Sequence, residues 1–230
     1  MQRWLQLAED VAVLQYPLGA FGIDFKRNVT LLRLDDGRLI IHSTAPFTRE
    51  DVIAIERFGK PGWLIEATRF HDTYARDGRA GFPSLPYLTP ADSNQPGGGT
   101  ARPLTPPPDD WSGEVELLKL EGLRWQNEHA FYHRSSRTLV LADLLFHFSS
   151  ETAGWRRFFV RHVMRLPQLV GISVFFRMMI ADPRAFSRSA RRLLEWDFQQ
   201  IVVAHAEPIR EDARGILEKA LRDQDLLDNR

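Results

Sequence analysis

Eight of the chain's 14 prolines lie between Pro83 and Pro108, together with the run Gly97-Gly98-Gly99. Proline donates no ladder hydrogen bond, so residues 83–108 are expected to form an irregular loop. The fold must then be assembled from the two flanks, and both carry strand patterns. Residues 28–34 are apolar and β-branched, Asp35-Asp36-Gly37 is a hairpin turn, and residues 38–42 return as the partner strand. Thr48 ahead of Glu50 and Asp51 marks a helix start, with Val52, Ile53, Ile55 and Phe58 as its buried face and Gly59 as its stop. Pro61-Gly62 turns the chain into a strand over 63–67.

Beyond the proline-rich stretch, residues 114–120, 129–133 and 138–142 are three further strands, so the sheet resumes. Residues 150–198 turn helical in pieces broken at Pro167 and Pro183, with Asp182 placed as an N-cap. Residues 201–204 form a last buried strand and 210–227 a charged amphipathic helix. Strands on both sides of one loop, with helices between and after them, predict an α/β sandwich whose sheets are covered by helices. At 230 residues and 43% hydrophobic, the chain is expected to form one domain over 1–230, with the loop at 83–108 and a helical insertion at 150–198.

Composition removes whole classes of chemistry. With no cysteine, disulfides, thiol nucleophiles and thiolate zinc sites are excluded, which leaves His, Asp and Glu as metal ligands. Lys plus Arg equals Asp plus Glu at 30 each, so no global field draws the chain to nucleic acid, and no nucleic-acid partner is expected. The opening residues lack the apolar core of a signal peptide, so a cytoplasmic location is expected. The apolar run 169–176 is far too short to span a bilayer and is ended by Arg177. The phosphate-cradling glycine motifs and the GxSxG elbow are absent.

Three polar residues stand where apolar strands end: His71 after residues 63–70, Asp143 closing 138–142, and His205 closing 201–204. Two imidazoles and one carboxylate can hold zinc, manganese or iron and leave positions open for water; the competing reading is a set of hydrogen-bonded structural residues.

At these residues the chain resembles the metallo-β-lactamase fold, and within it a domain-of-unknown-function branch. The resemblance spans roughly residues 29–221, and its strongest piece is HAFYHRSSRTLVLADLLF, from His129 to Phe146; RLIIHSTAPFT, from Arg38 to Thr48, adds to it. It implies a four-layer αββα sandwich with an appended helical cover. By similarity Asp143 falls on the metal-bridging aspartate and His205 on the last histidine ligand. The superfamily's His-x-His-x-Asp-His motif is degenerate here: in Arg69-Phe70-His71-Asp72-Thr73-Tyr74 only His71 lands on a histidine. The histidine ahead of the Asp-bearing strand is unmatched, with His129 and His133 as candidates to reach inward.

The resemblance implies a metallo-hydrolase with a single-metal or remodelled site, acting on a small-molecule ester, thioester or phosphate. His71, Asp143 and His205 would hold one divalent ion, and Asp72 and Asp143 would serve catalysis, with Asp72 as general base. In the alternative no metal is bound. Arg69 fills the space beside Asp143, and the protein is a non-catalytic binder of an acidic small molecule or lipid headgroup. Arg134 and Arg137 flank a turn expected to bind an anion with Arg69 as a further anion contact, or else to be a solvated hairpin turn. His42 and His147 are read as structural. Between Glu151 and Arg192 nine arginines face two acids, interleaved with Trp155, Phe158, Phe159, Phe175, Phe176 and Phe186. Core packing accounts for the aromatics; the basic excess is expected to face the pocket mouth or a peripheral membrane contact.

Overall fold

The computed structural model describes residues 3–91, 93 and 101–227. The chain opens on β1 (Arg3–Gln6) and β2 (Val11–Tyr16), followed by the small hairpin β3 (Gly19–Ala20) and β4 (Ile23–Asp24). Next come β5 (Arg27–Arg33), β6 (Arg38–His42), α1 (Arg49–Phe58), β7 (Lys60–Ile65), α2 (Ala75–Gly81), β8 (Tyr87–Thr89) and β9 (Arg102–Pro103). Seven of these strands make one sheet in the order β1-β2-β5-β6-β7-β8-β9, antiparallel up to β6 and parallel from there.

The second half contributes β10 (Val115–Lys119), β11 (His129–His133), β12 (Thr138–Leu141) and the short β13 (Phe146–His147). Then follow α3 (Gly154–Phe158), running into a π-turn over Phe159–Val163, β14 (Val170–Gly171), α4 (Val174–Met178) and α5 (Pro183–Glu195). β15 (Gln200–Val203) and α6 (Ala213–Arg222) end the fold. The second sheet runs β10-β11-β12-β15, and β12 and β15 are parallel.

Alternation along the strands builds the layers. Val11, Val13, Ile40 and Ile65 of the first sheet meet Val115, Phe131, Val140 and Val202 of the second in one central core. The residues between them point outward: Ala12, Leu14, Leu39 and Ile41 pack with Ile55 of α1 and Ala75 of α2. On the other side, Leu139, Leu141, Ile201 and Val203 pack with Phe186 and Leu193 of α5 and Leu217 and Leu221 of α6. Strands buried on both faces read as continuous apolar runs, as VVA and LVLA do here. The architecture is αββα.

The local signals at the helix ends are met. Thr48 and Asp51 form a reciprocal capping box, Gly59 ends α1, and the Asp182 carboxylate accepts from Arg184 and Ala185 N–H at the start of α5. The expectation for residues 83–108 is corrected in part. Tyr87–Thr89 and Arg102–Pro103 are strands, and Pro103 is tolerated because β9 is the sheet's edge and needs no further donor there. Gly97–Gly99 lie outside the described residues.

Candidate metal centre

The site forms where three strands end. β7 delivers the loop to His71, and Arg27, at the start of β5, holds that loop from beneath. Its Nη2 donates to Glu66 Oε1 and Oε2 at 3.0 and 2.8 Å and to the His71 carbonyl at 3.1 Å, while Nε reaches the Thr44 carbonyl at 3.3 Å. Glu66 also accepts the Thr44 N–H at 2.8 Å and the Thr44 hydroxyl. Both partners are buried, so the pair fastens the ends of β6 and β7 together at one charge-compensated point.

Asp143 leaves β12 on a turn whose three successive N–H groups point at one carboxylate. Ala142, Asp143 and Leu144 donate to Glu128 at 3.1, 3.1 and 3.2 Å. The Gln126 amide bridges Glu128 Oε2 and Asp143 Oδ2, each at 3.0 Å. Burial and the neighbouring Asp143 charge push the Glu128 carboxyl up to about 8, against the pull of the backbone N–H groups. Glu128→Ala would strand three buried donors at about 1–3 kcal/mol each. A loss of at least about 3 kcal/mol is expected, or about 6–12 °C in Tm for a chain of this size. A shift under about 3 °C in a thermal melt would contradict the clamp role.

His205 is set by the link between the sheets. Asn28 N–H donates to the Ala204 carbonyl at 2.9 Å, and its side-chain amide to the carbonyls of Val203 and Ala206 at 2.6 and 3.1 Å, with Gln15 adding a bond to Ala206 at 2.8 Å. The imidazole stacks on Phe146 with ring centroids 5.7 Å apart, and its Nδ1 lies 2.9 Å from the Lys26 carbonyl.

His71 Nε2 and His205 Nε2 then converge on a single oxygen, Asp143 Oδ1, at 3.1 and 3.4 Å. Among the described residues these three offer ligand atoms that all lie within 4.8 Å of one another. A carbonyl only accepts, so His205 Nδ1 carries the hydrogen, and a neutral ring turns the lone pair of Nε2 toward the carboxylate. Two electron-rich atoms at that separation require a proton or a cation between them. Ligand atoms about 2.1 Å from a tetrahedral ion stand about 3.4 Å apart, close to the two distances to Asp143 Oδ1. Burial drives the His71 imidazole down to about 4, Asp143 opposes that and Arg27 adds to it, so the ring is neutral, the state a metal ligand needs. Burial opposes ionisation of Asp143, and the charge and hydrogen bonds of His71 and His205 hold its carboxyl well below the usual range when those rings carry a proton toward it.

The other expected site residues lie elsewhere. Arg69 lines a separate cavity with Lys119, Glu121, Trp125 and Asn127, so it does not fill the space beside Asp143. Asp72 is not among the three clustered ligand groups and is not in the lining of the two cavities that Asp143 lines. Arg134 pairs with Glu116 at 2.7 Å and Arg137 with Asp197, so both guanidiniums of that turn have carboxylate partners. His129 bonds Thr105 and the Asn127 carbonyl and His133 bonds Ser136, so neither reaches inward. His42 is buried edge-on to Phe131, and His147 meets the Glu207 carbonyl, both structural as expected. Glu128, Gln126, Arg27 and Asn28 were not legible as site residues.

No family model matches the sequence, and no curated protein matches it either. Solved structures do. A metallo-β-lactamase from Erythrobacter litoralis superposes with a TM-score of 0.66 at 14% identity, over 98% of this chain and 93% of that one. The DIM-1 metallo-β-lactamase exposed to ceftazidime gives 0.63 at 14% identity over 96% and 97% of the two chains. The metallo-β-lactamase from Pontibacter korlensis gives 0.59 at 11% identity over 97% and 100%. The chain therefore has the metallo-β-lactamase fold. No helix among the described residues is long and apolar enough to cross a membrane.

Proposed function

We propose that the protein is a metal-dependent hydrolase of the cytoplasm in which His71, Asp143 and His205 hold a single divalent ion. The observation that carries this reading is the approach of two imidazole nitrogens to one carboxylate oxygen, with the His205 Nδ1 hydrogen committed to a backbone carbonyl. When bound, such an ion polarises a carbonyl or phosphoryl oxygen and lowers the pKa of water toward ~7. The chain's own groups do the rest. The Lys26 carbonyl fixes the tautomer and rotation of His205, and Gln126 holds the second oxygen of Asp143 so that Oδ1 faces the imidazoles. Glu128 keeps the turn bearing Asp143 rigid. Arg69 lines another cavity and not the space beside Asp143.

Elemental analysis of protein purified without chelator tests the reading. About one divalent ion per chain is expected in the wild type, and none in His205→Ala or Asp143→Ala, with cooperative unfolding retained. Wild-type protein that stays metal-free after incubation with zinc, manganese or ferrous iron would refute it.

A further inference from the structure

A cavity of about 530 Å³ opens directly beside the three ligands. Asp143, His205 and Gln126 stand at one end, and the walls are hydrocarbon and sulfur: Phe25, Phe146, Phe159, Met164, Phe176 and Met179. Ser173, another polar residue of the lining, has its hydroxyl engaged by the Phe176 N–H at 3.2 Å. The walls supply no cation, and Ser173 carries the one hydroxyl among them, too little for a sugar, a nucleotide or a second carboxylate; Arg27 is bound to Glu66. Aromatic and Met surfaces of this kind adapt to a flexible apolar chain, and the volume suits a ligand of drug-like size or a medium to long acyl chain. Resting on the hydrolase reading above, we propose that the substrate is a fatty acyl ester or thioester, with its chain in this cavity and its carbonyl at Asp143 and His205. Water then adds its oxygen to the acyl carbon, the C–O or C–S bond breaks, and the alcohol or thiol leaves with a proton as the fatty acid forms.

The test separates the cavity from the metal. Metal-free protein, prepared with chelator, is titrated into cis-parinaric acid, and a saturable rise in fluorescence is expected. Ala20→Trp, which fills the cavity from β3, and Phe175→Asp, which charges its half-exposed mouth, are each expected to weaken binding at least tenfold without loss of Tm. In the metal-loaded wild type, kcat/KM for p-nitrophenyl octanoate should exceed that for the acetate by more than tenfold. No fluorescence change with folded wild type, or binding untouched by both variants, overturns the acyl proposal while leaving the metal count standing. Binding by a protein that takes up no metal has the opposite meaning.

The surroundings of the mouth carry a second, independent observation. Phe21 sits at the tip of the β3–β4 hairpin, 73% exposed and at φ +53°, a conformation unfavourable for a bulky residue. The Trp155 indole N–H donates to its carbonyl at 3.0 Å, and Trp155 and Phe158 are themselves 55% and 51% exposed and stacked on each other. Next to them in the chain Arg157 and Arg161 are exposed, and neither has a carboxylate partner among the described residues. Exposed aromatics next to uncompensated arginines match the chemistry of an anionic bilayer surface: rings at the headgroup boundary, guanidiniums on phosphates. We infer that this rim docks on such a surface and faces the cavity mouth toward lipid.

Co-sedimentation with vesicles of phosphatidylcholine and phosphatidylglycerol checks it. Binding is expected to the mixed vesicles, to fall in 1 M salt, and to be much weaker on pure phosphatidylcholine. At about 1 kcal/mol per arginine, Arg157→Gln with Arg161→Gln should weaken it about thirtyfold, and Phe21→Ser with Trp155→Ser should weaken it as well. Equal binding to neutral vesicles, or none to either, overturns the inference.

Discussion

Arg27→Ala is expected to lower the unfolding free energy by about 3–5 kcal/mol, the loss typical of breaking a buried ion pair from one side. The variant leaves Glu66 as an uncompensated buried charge and takes the donor away from the carbonyls of Thr44 and His71. Arg27→Lys should recover little, since an ammonium cannot reproduce the planar fork that reaches a carboxylate and two carbonyls together. The sign of the pH response distinguishes this from loss of packing. Burial already raises the Glu66 carboxyl, and Arg27 with Thr44 draws it back. Without the guanidinium the folded-state value rises further, so the variant is relatively more stable at low pH and loses stability as pH rises through that value. Arg27→Ala with Glu66→Gln, which leaves no bare charge, should regain part of the loss. Urea unfolding at pH 5 and pH 8 measures all of this; a deficit under about 1 kcal/mol, equal at the two pH values, would rule it out.

A second large effect is expected in acid. Burial holds His42 down at about 3, and His71 and His129 down at about 4, against about 6.5 in the unfolded chain. Their contribution to stability is fully present above the unfolded value and is lost as pH falls from about 6.5 toward 4. Near pH 5 the unfolded state thus binds three more protons on these rings. Glu128, raised to about 8, is protonated in the fold and offsets one, and Glu66 offsets part of another. The net uptake of one to two protons corresponds to about 1.4–2.7 kcal/mol per pH unit, so acid unfolding should set in well above pH 3. A series of urea midpoints on metal-free protein from pH 4.5 to 7.5 gives the slope. A flat series would contradict the neutral burial of these histidines, and His42→Gln should remove close to one proton from the uptake.

Much of this architecture was legible because its signals are local. The Asp-Asp-Gly turn, the Thr48 and Asp182 caps and the runs LVLA and IVVA each declare an element within a few residues. A polar residue that ends an all-apolar strand is local too, which is why Asp143 and His205 could be singled out. β2 is legible as well, an apolar run between Glu9-Asp10 and Pro17. Glu128, Gln126 and Arg27 were out of reach for a physical reason. Their roles arise from contacts 14 to 44 residues away in sequence, and nothing near Glu128 announces that its carboxylate faces three N–H groups of another turn. Arg69 was out of reach on direction: it stands beside His71 in the chain but lines another cavity, since a loop, unlike a strand, does not dictate which side its residues face.

The short pair β13 and β14 has a consequence for how this architecture can diversify. Phe146 and His147 pair with Gly171 and Val170, and the Phe148 N–H closes the neck on the Leu169 carbonyl at 2.8 Å. Residues 149–168 therefore leave and re-enter through a gate one strand spacing wide, and the strands that lead to Asp143 and His205 lie outside it. Such an excursion is an interchangeable module. Because loop closure is only weakly sensitive to length, it can be lengthened, trimmed or replaced while Asp143 and His205 keep their places. It also brings Phe159 and Met164 to the cavity and Trp155 and Phe158 to the surface, so an exchange would alter what the protein accepts and where it settles in a single step. Chimeras cut at 148 and 169 would carry new preferences on an unchanged frame.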